Sequence, residues 1–203
     1  NIHYLRVYPP SLAKQRNATV LMARATEIDV EKKRVSFVEG ETSYDYLIVA
    51  VGMTNHYFGH PEWEIYAPGL KSLEEALEIR RRVLLAYENA ERETDPELRR
   101  SWLSFVVIGG GPTGVELAGA LAEISRRTMA KNFRNFEPSS ARIYLLEGSD
   151  RVLKTFPEAL SARAVKDLEH FGVEVRVKTV VKAIDQYGVD LGNERIEART
   201  VLW

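Results

Sequence analysis

An α/β chain, with a parallel sheet crossed by helices and a small antiparallel β-meander beside it, is what this sequence predicts. Three observations predict it. Phe105-Val106-Val107-Ile108 is an apolar run that ends on a glycine cluster and passes straight into a small-residue helical segment. From there the pattern alternates strand, helix, strand, helix, strand as far as Val177, the order of a parallel sheet with crossovers. Tyr46-Leu47-Ile48-Val49-Ala50-Val51 is a second continuous apolar run, of the kind found in strands covered on both faces.

The glycine cluster reads Gly109-Gly110-Gly111-Pro112-Thr113-Gly114, followed by Val115 to Leu121. In a Rossmann-like FAD/NAD(P)-binding fold, Gly109 permits the tight turn, Gly111 lets a pyrophosphate approach the backbone, and Gly114 lets the helix pack on the sheet. Pro112 suits the first helical position, and Ala118, Gly119 and Ala120 keep the helix thin where it crosses the sheet. An anion is favoured at that helix N-terminus by unpaired N–H groups and the dipole. Pro112 and Thr113 are expected to shape the pyrophosphate loop. Gly109 and Gly114 also fit the outer spacing of a P-loop, but Val115 and Glu116 replace its lysine and Ser/Thr, which excludes that reading.

The fingerprint requires an acidic residue at the end of the next strand. Arg142-Ile143-Tyr144-Leu145-Leu146-Glu147 supplies Glu147, the candidate ribose ligand, whose carboxylate would favour NAD(H) by repelling a 2′-phosphate. It lies 33 residues beyond Gly114, more than the usual twenty or so. The excess is Arg126–Ala141, read as a lengthened helix and a return loop. Arg151, four residues further, is a cation that counts toward a 2′-phosphate instead.

The 203 residues allow one large or two small domains, and 45% hydrophobic content supports a core. A net charge of −1 gives no footprint for nucleic acid. With no cysteine there is neither disulfide nor thiolate metal site, and the 4 scattered histidines argue against any metal. No apolar run is long enough to span a membrane.

Along the chain, Thr19–Ile28 and Arg34–Val38 read as a hairpin. Asn55–Leu70, aromatic and broken by Pro61 and Pro68, reads as a connection. Ser72 and Glu75 form a capping box for a helix to about Glu91, with Leu73, Leu77, Leu84 and Leu85 as its expected apolar face. Thr94-Asp95-Pro96 interrupts or closes it. Pro157–His170 is the next helix, capped by Gly172, and Val173–Val177 the next strand. Val180–Ile184, Gly188–Leu191 and Arg195–Ile196 suit the meander. Thr200-Val201-Leu202-Trp203 reads as an incoming core strand with nothing after it to receive it, from which the chain is expected to be an excerpt of a longer protein. The aromatics Tyr57, Phe58 and Trp63 are expected in a local core, and Arg80-Arg81-Arg82 on a solvated helix face.

Tyr46–Gly52, Tyr57–Trp63, Ala67-Pro68-Gly69-Leu70-Lys71, Ala76–Arg80, Gly109–Gly119 and Thr200–Trp203, taken in order, resemble type II NADH dehydrogenases. These are single-subunit members of the two-dinucleotide-binding, pyridine nucleotide-disulfide oxidoreductase-like flavoproteins, and the match runs over roughly residues 17 to 203. The resemblance implies hydride transfer from NADH to FAD, the cofactor carrying the chemistry, and electron delivery to a quinone. It implies a partial FAD-binding domain and crossover over 1–100 and an NADH-binding domain over 101–203. It places Ala50, Val51 and Gly52 at the FAD site, although Val51 stands where the family usually has threonine. Glu116 would face the meeting point of nicotinamide and flavin, as a ribose ligand or proton relay. A carboxylate ~6 Å from a phosphate costs about 3 kcal/mol at a dielectric near 20, so a sequence that tolerates it is expected to use the charge. Peripheral membrane association through a further C-terminal region, a location in the cytoplasm or on the cytoplasmic membrane face, and a homodimer go with the same resemblance. Two other readings stand beside it: an NADH-binding module without turnover, and a piece of another NAD(P)H-dependent flavoprotein reductase.

Overall fold

In the computed structural model, residues 15–203 are described. The chain divides into two compact units, one ending at Gly52 and the other spanning Met53–Trp203.

The first unit holds a three-stranded antiparallel sheet of β1 (Ala25–Asp29), β2 (Arg34–Phe37) and β3 (Gly40–Ser43). The expected hairpin is its first two strands, joined by a turn in which Asp29 Oδ1 accepts from Lys32 N at 2.8 Å. The third strand was not foreseen, because Gly40-Glu41-Thr42-Ser43 carries no apolar alternation; β3 pairs with β2 through its backbone and is exposed throughout. Tyr46–Val51 corrects the sequence reading. It is irregular backbone, with Tyr46 95%, Ile48 90% and Val51 88% exposed. An apolar run becomes a strand only by pairing its N–H and C=O groups, and no described strand pairs with this one.

The second unit is built on the parallel sheet β10-β4-β5-β6, with β4 Ser104–Ile108, β5 Arg142–Leu146, β6 Val173–Arg176 and β10 Thr200–Leu202. Alternation along β4 and β5 sends Phe105, Val107, Ile143 and Leu145 to one face, which is covered by helices. Val106, Tyr144 and Leu146 go to the other. That second face packs on the antiparallel meander β7 (Ala183–Asp185), β8 (Gly188–Asp190) and β9 (Arg195–Glu197), and on the aromatic connection through Tyr57 and Trp63. β10 is received after all: it pairs in register with β4, and its three residues are at most 2% exposed.

On the helical face, α1 (Leu73–Arg92) starts at the predicted capping box: Ser72 Oγ accepts from Glu75 N at 3.2 Å, and Glu75 Oε2 accepts from Ser72 N at 2.9 Å. Its buried face is not the leucine stripe. Ile79, Val83, Ala86, Tyr87 and Ala90 face the core, whereas Leu73 and Leu77 are more than half exposed. Both sets follow helical spacing, and the small pair Ala86 and Ala90 lets the helix come close to the sheet where leucines would hold it off. Arg82 is likewise more than a solvated charge, since it donates to the Tyr66 and Ile65 carbonyls at 2.6 and 2.9 Å and staples α1 to the aromatic connection. Asp95 then caps α2 (Pro96–Trp102), accepting from Glu97 N at 2.8 Å. α3 (Pro112–Glu123) follows the glycine turn, and α4 (Glu158–His170) ends at Gly172, whose φ of 75° suits glycine.

Candidate functional site: the glycine turn and the carboxyl ends of the sheet

From β4 the chain builds outward through β5 to β6, then returns to add β10 on the other side of β4. The order therefore reverses between β4 and β10, and in open α/β sheets ligands bind outside the carboxyl ends of the strands at such a reversal. A cavity of about 550 Å³ opens there, lined by Ile108 and Gly109 after β4, Leu146, Glu147 and Gly148 after β5, and Trp203 after β10. Thr179–Lys182 and the rings of Phe58, His60 and Trp63 complete it. His60 stacks on Trp63 at 4.1 Å, and Trp63 and Tyr57 pack on Trp203. Tyr57 donates to the Ala67 carbonyl at 2.9 Å, and burial pushes its pKa up to about 12, so it stays a neutral donor. Tyr57 and Trp63 are thus the expected local core; Phe58, 76% exposed, is not part of it.

Gly109 and Gly114 have the turn and the close packing that their spacing predicts. Gly109 has a φ of 107°, open to glycine and strained for other residues, and its N–H donates to Leu146 O at 2.8 Å. A Cβ on Gly114 would lie 1.9 Å from Gly109 O, so the helix can lie this close to the turn only without one. A Cβ on Gly111 would meet nothing within 4 Å, leaving room for a ligand rather than for protein atoms. Gly111 is also the N-cap of α3, and it has no side chain to cap with. Pro112 lacks an N–H, and those of Thr113 and Gly114 have no intrahelical acceptor, so the turn leaves backbone donors free of helical partners.

Glu147 completes the arrangement. Its Oε2 accepts from Gly110 N at 2.5 Å and its Oε1 from Ser149 N at 2.6 Å, across 37 residues in the first case. Burial raises its pKa, but the Ser149 and Gly110 hydrogen bonds and the Lys154 ammonium outweigh burial and hold it below the ordinary carboxylate value. Each carboxylate oxygen retains a lone pair for a further donor. Arg151 does not stand free beside it: its guanidinium donates to the Phe156 and Lys154 carbonyls at 3.0 and 2.9 Å.

Glu116 lies one turn beyond Pro112 on α3, exposed and bonded to no other described side chain. Ala50, Val51 and Gly52 belong to the other unit, as exposed irregular backbone, Gly52 with a φ of 72°. Sequence reasoning missed Ser149 and Val152, which hold Glu147 and wall in Gly110, and Trp203 as a cavity residue. The turn sequence Gly148-Ser149-Asp150 and the place of Trp203 at a strand's carboxyl end were the available signals.

The family model for pyridine nucleotide-disulphide oxidoreductases matches residues 5–203. The type II NADH:quinone oxidoreductase Ndh of Mycobacterium tuberculosis is 40% identical over 97% of this chain, and the external alternative NADH-ubiquinone oxidoreductase of Yarrowia lipolytica mitochondria is 34% identical over 85%. The chain spans 45% and 31% of those two relatives' lengths. The structure of Plasmodium falciparum NDH2 in complex with NADH superposes with a TM-score of 0.74 at 23% identity, covering 90% of this chain and 40% of that one. With a family model matched over nearly its whole length, this chain belongs to the pyridine nucleotide-disulphide oxidoreductase family.

Proposed function

We propose that this chain is the central part of a flavin-dependent NADH dehydrogenase, with an NADH-binding domain over residues 101–203 and a partial FAD-binding domain and crossover over 1–100. The observation that carries the reading is the bond from Gly110 N to Glu147, which fixes that carboxylate against an uncapped helix N-terminus beside the switch-point cavity. The N–H groups of Gly111, Thr113 and Gly114 would hold the dinucleotide's diphosphate, and Glu147 would accept from the adenosine ribose hydroxyls. Because Arg151 is bonded to backbone carbonyls, no free guanidinium there welcomes a 2′-phosphate, which supports NADH over NADPH. Bound together, nicotinamide and flavin supply hydride transfer and electron delivery to a quinone. Glu116 serves as the group that binds nicotinamide-ribose hydroxyls or moves a proton, and Ala50, Val51 and Gly52 offer backbone to the flavin. Among the described residues no helix is long and apolar enough to cross a membrane. By its likeness to NADH:quinone oxidoreductases, the reading also includes peripheral attachment at the cytoplasmic membrane face through the remainder of the full-length protein, as a homodimer.

Titration of the full-length protein with NADH and NADPH tests this. Glu147→Ala should weaken NADH binding about tenfold and narrow its advantage over NADPH, and Gly111→Asp should abolish binding of both. NADH affinity unchanged by either substitution overturns the reading. Glu116→Ala should slow NADH oxidation far more than it lowers the melting temperature. A colourless preparation that binds NADH without oxidising it would favour a binding module instead.

A further inference from the structure

A second concavity lies at the opposite end of the sheet, among the start of β4, the start of β5, the last turn of α2 and the meander strand β9. It holds about 450 Å³ and shares no lining residue with the switch-point cavity. Its position at the amino ends of β4 and β5 puts it about 13 Å, the length of a five-residue strand, from the glycine turn. Together with Glu97, Glu194 and Glu197, its lining includes Arg100, Arg142, Arg176, Arg195 and Arg199.

Three of these charges are answered. Arg100 pairs with Glu97 at 3.1 Å, Arg176 with Glu174 at 2.6 Å and with Glu194, and Arg195 with Asp185 and Glu197 at 2.7 and 2.8 Å. Arg142 and Arg199 have no carboxylate partner among the described residues. Arg199 is nonetheless held firmly: its guanidinium lies 4.6 Å from the Tyr187 ring and 5.5 Å from that of Trp102, and Nε donates to Ser101 Oγ at 3.3 Å. Aromatic contact orients the flat faces of a guanidinium and leaves its in-plane N–H edge as a preorganised fork, the geometry that matches a tetrahedral oxyanion. An oriented guanidinium whose terminal N–H groups have no described protein acceptor can offer them to an anion.

We propose that this cavity is a second anion site, which binds the phosphate of a phosphorylated small molecule or of a lipid headgroup through Arg142 and Arg199. It does not depend on the dinucleotide reading.

Calorimetric titration of the full-length protein with inorganic phosphate and with pyrophosphate is the test, alongside sedimentation with vesicles of phosphatidylglycerol in phosphatidylcholine and of phosphatidylcholine alone. Arg142→Ala removes an exposed side chain and leaves the fold intact; Arg199→Lys keeps the charge and loses the fork. Each should lower phosphate affinity about tenfold without altering NADH affinity. Binding of phosphatidylglycerol vesicles that is lost in Arg142→Ala and displaced by free phosphate supports the site with a lipid source; saturable phosphate binding without vesicle binding supports it with a free one. If millimolar phosphate gives no saturable heat and any vesicle binding is untouched by Arg142→Ala, the proposal is wrong. It is equally wrong if phosphate binding ignores both arginine substitutions and is lost only in Gly111→Asp, because the anion then sits at the glycine turn.

Discussion

Phe105–Ile108 and Tyr46–Val51 are near-equivalent as sequence, each an apolar run ending on a glycine with positive φ, Gly109 at 107° and Gly52 at 72°. One is the centre of a parallel sheet, with Phe105, Val106 and Val107 at 0% exposure; the other is irregular and open. The difference teaches that apolarity specifies burial only where a neighbour completes the hydrogen-bond ladder. β4 has β5 on one edge and β10 on the other, and no described strand serves Tyr46–Val51.

The largest expected effect follows from that contrast. Phe105→Ala should cost about 3–5 kcal/mol in denaturant unfolding, whereas Ile48→Ala in the same chain should change stability by less than about 0.5 kcal/mol. An equal cost at both sites would mean that Tyr46–Val51 is buried in solution. Next in size, Gly114→Ala should destabilise by about 1–3 kcal/mol and weaken NADH binding, because the new methyl group drives α3 away from Gly109. The counterpart Gly52→Ala meets no atom within 4 Å and carries only the strain of its backbone angle. Melting temperatures of the two variants rank them. The smallest effect is in acid. The folded-state pKa of Glu147 is lowered, so its contribution is complete above the ordinary value of 4.5 and is lost as pH falls through the lower folded value. Glu147→Gln should therefore be less stable than the parent at neutral pH, by about 1 kcal/mol, with the gap closing in strong acid.

What could be read without coordinates was local and stereochemical. The Ser72 and Glu75 capping box, the glycine turn and the acid after β5 depend on side-chain type within a few bonds of the backbone. The features that escaped depend on which surface meets which. Nothing in the spacing distinguishes Ile79-Val83-Tyr87 from the leucines of α1, since both are helical stripes; the sheet selects the one with alanines between. Arg82 looked solvated because its partners are carbonyls 16 and 17 residues away. Ser149 escaped because its contribution to the site is a backbone N–H, which every residue except proline carries.

The contact between Gly110 and Glu147 bears on how relatives of this chain can differ in length. Because the carboxylate is aligned across space by an amide of the turn, the covalent path between them is relieved of that task. Here the surplus path is spent on a π-helical turn at Ile124–Thr128 and on Phe133 and Phe136, which stack on Tyr87 away from the cavity. Changes of length between Met129 and Ala141 that keep Phe133 and Phe136 on Tyr87 and Pro138 buried should then be neutral toward the dinucleotide.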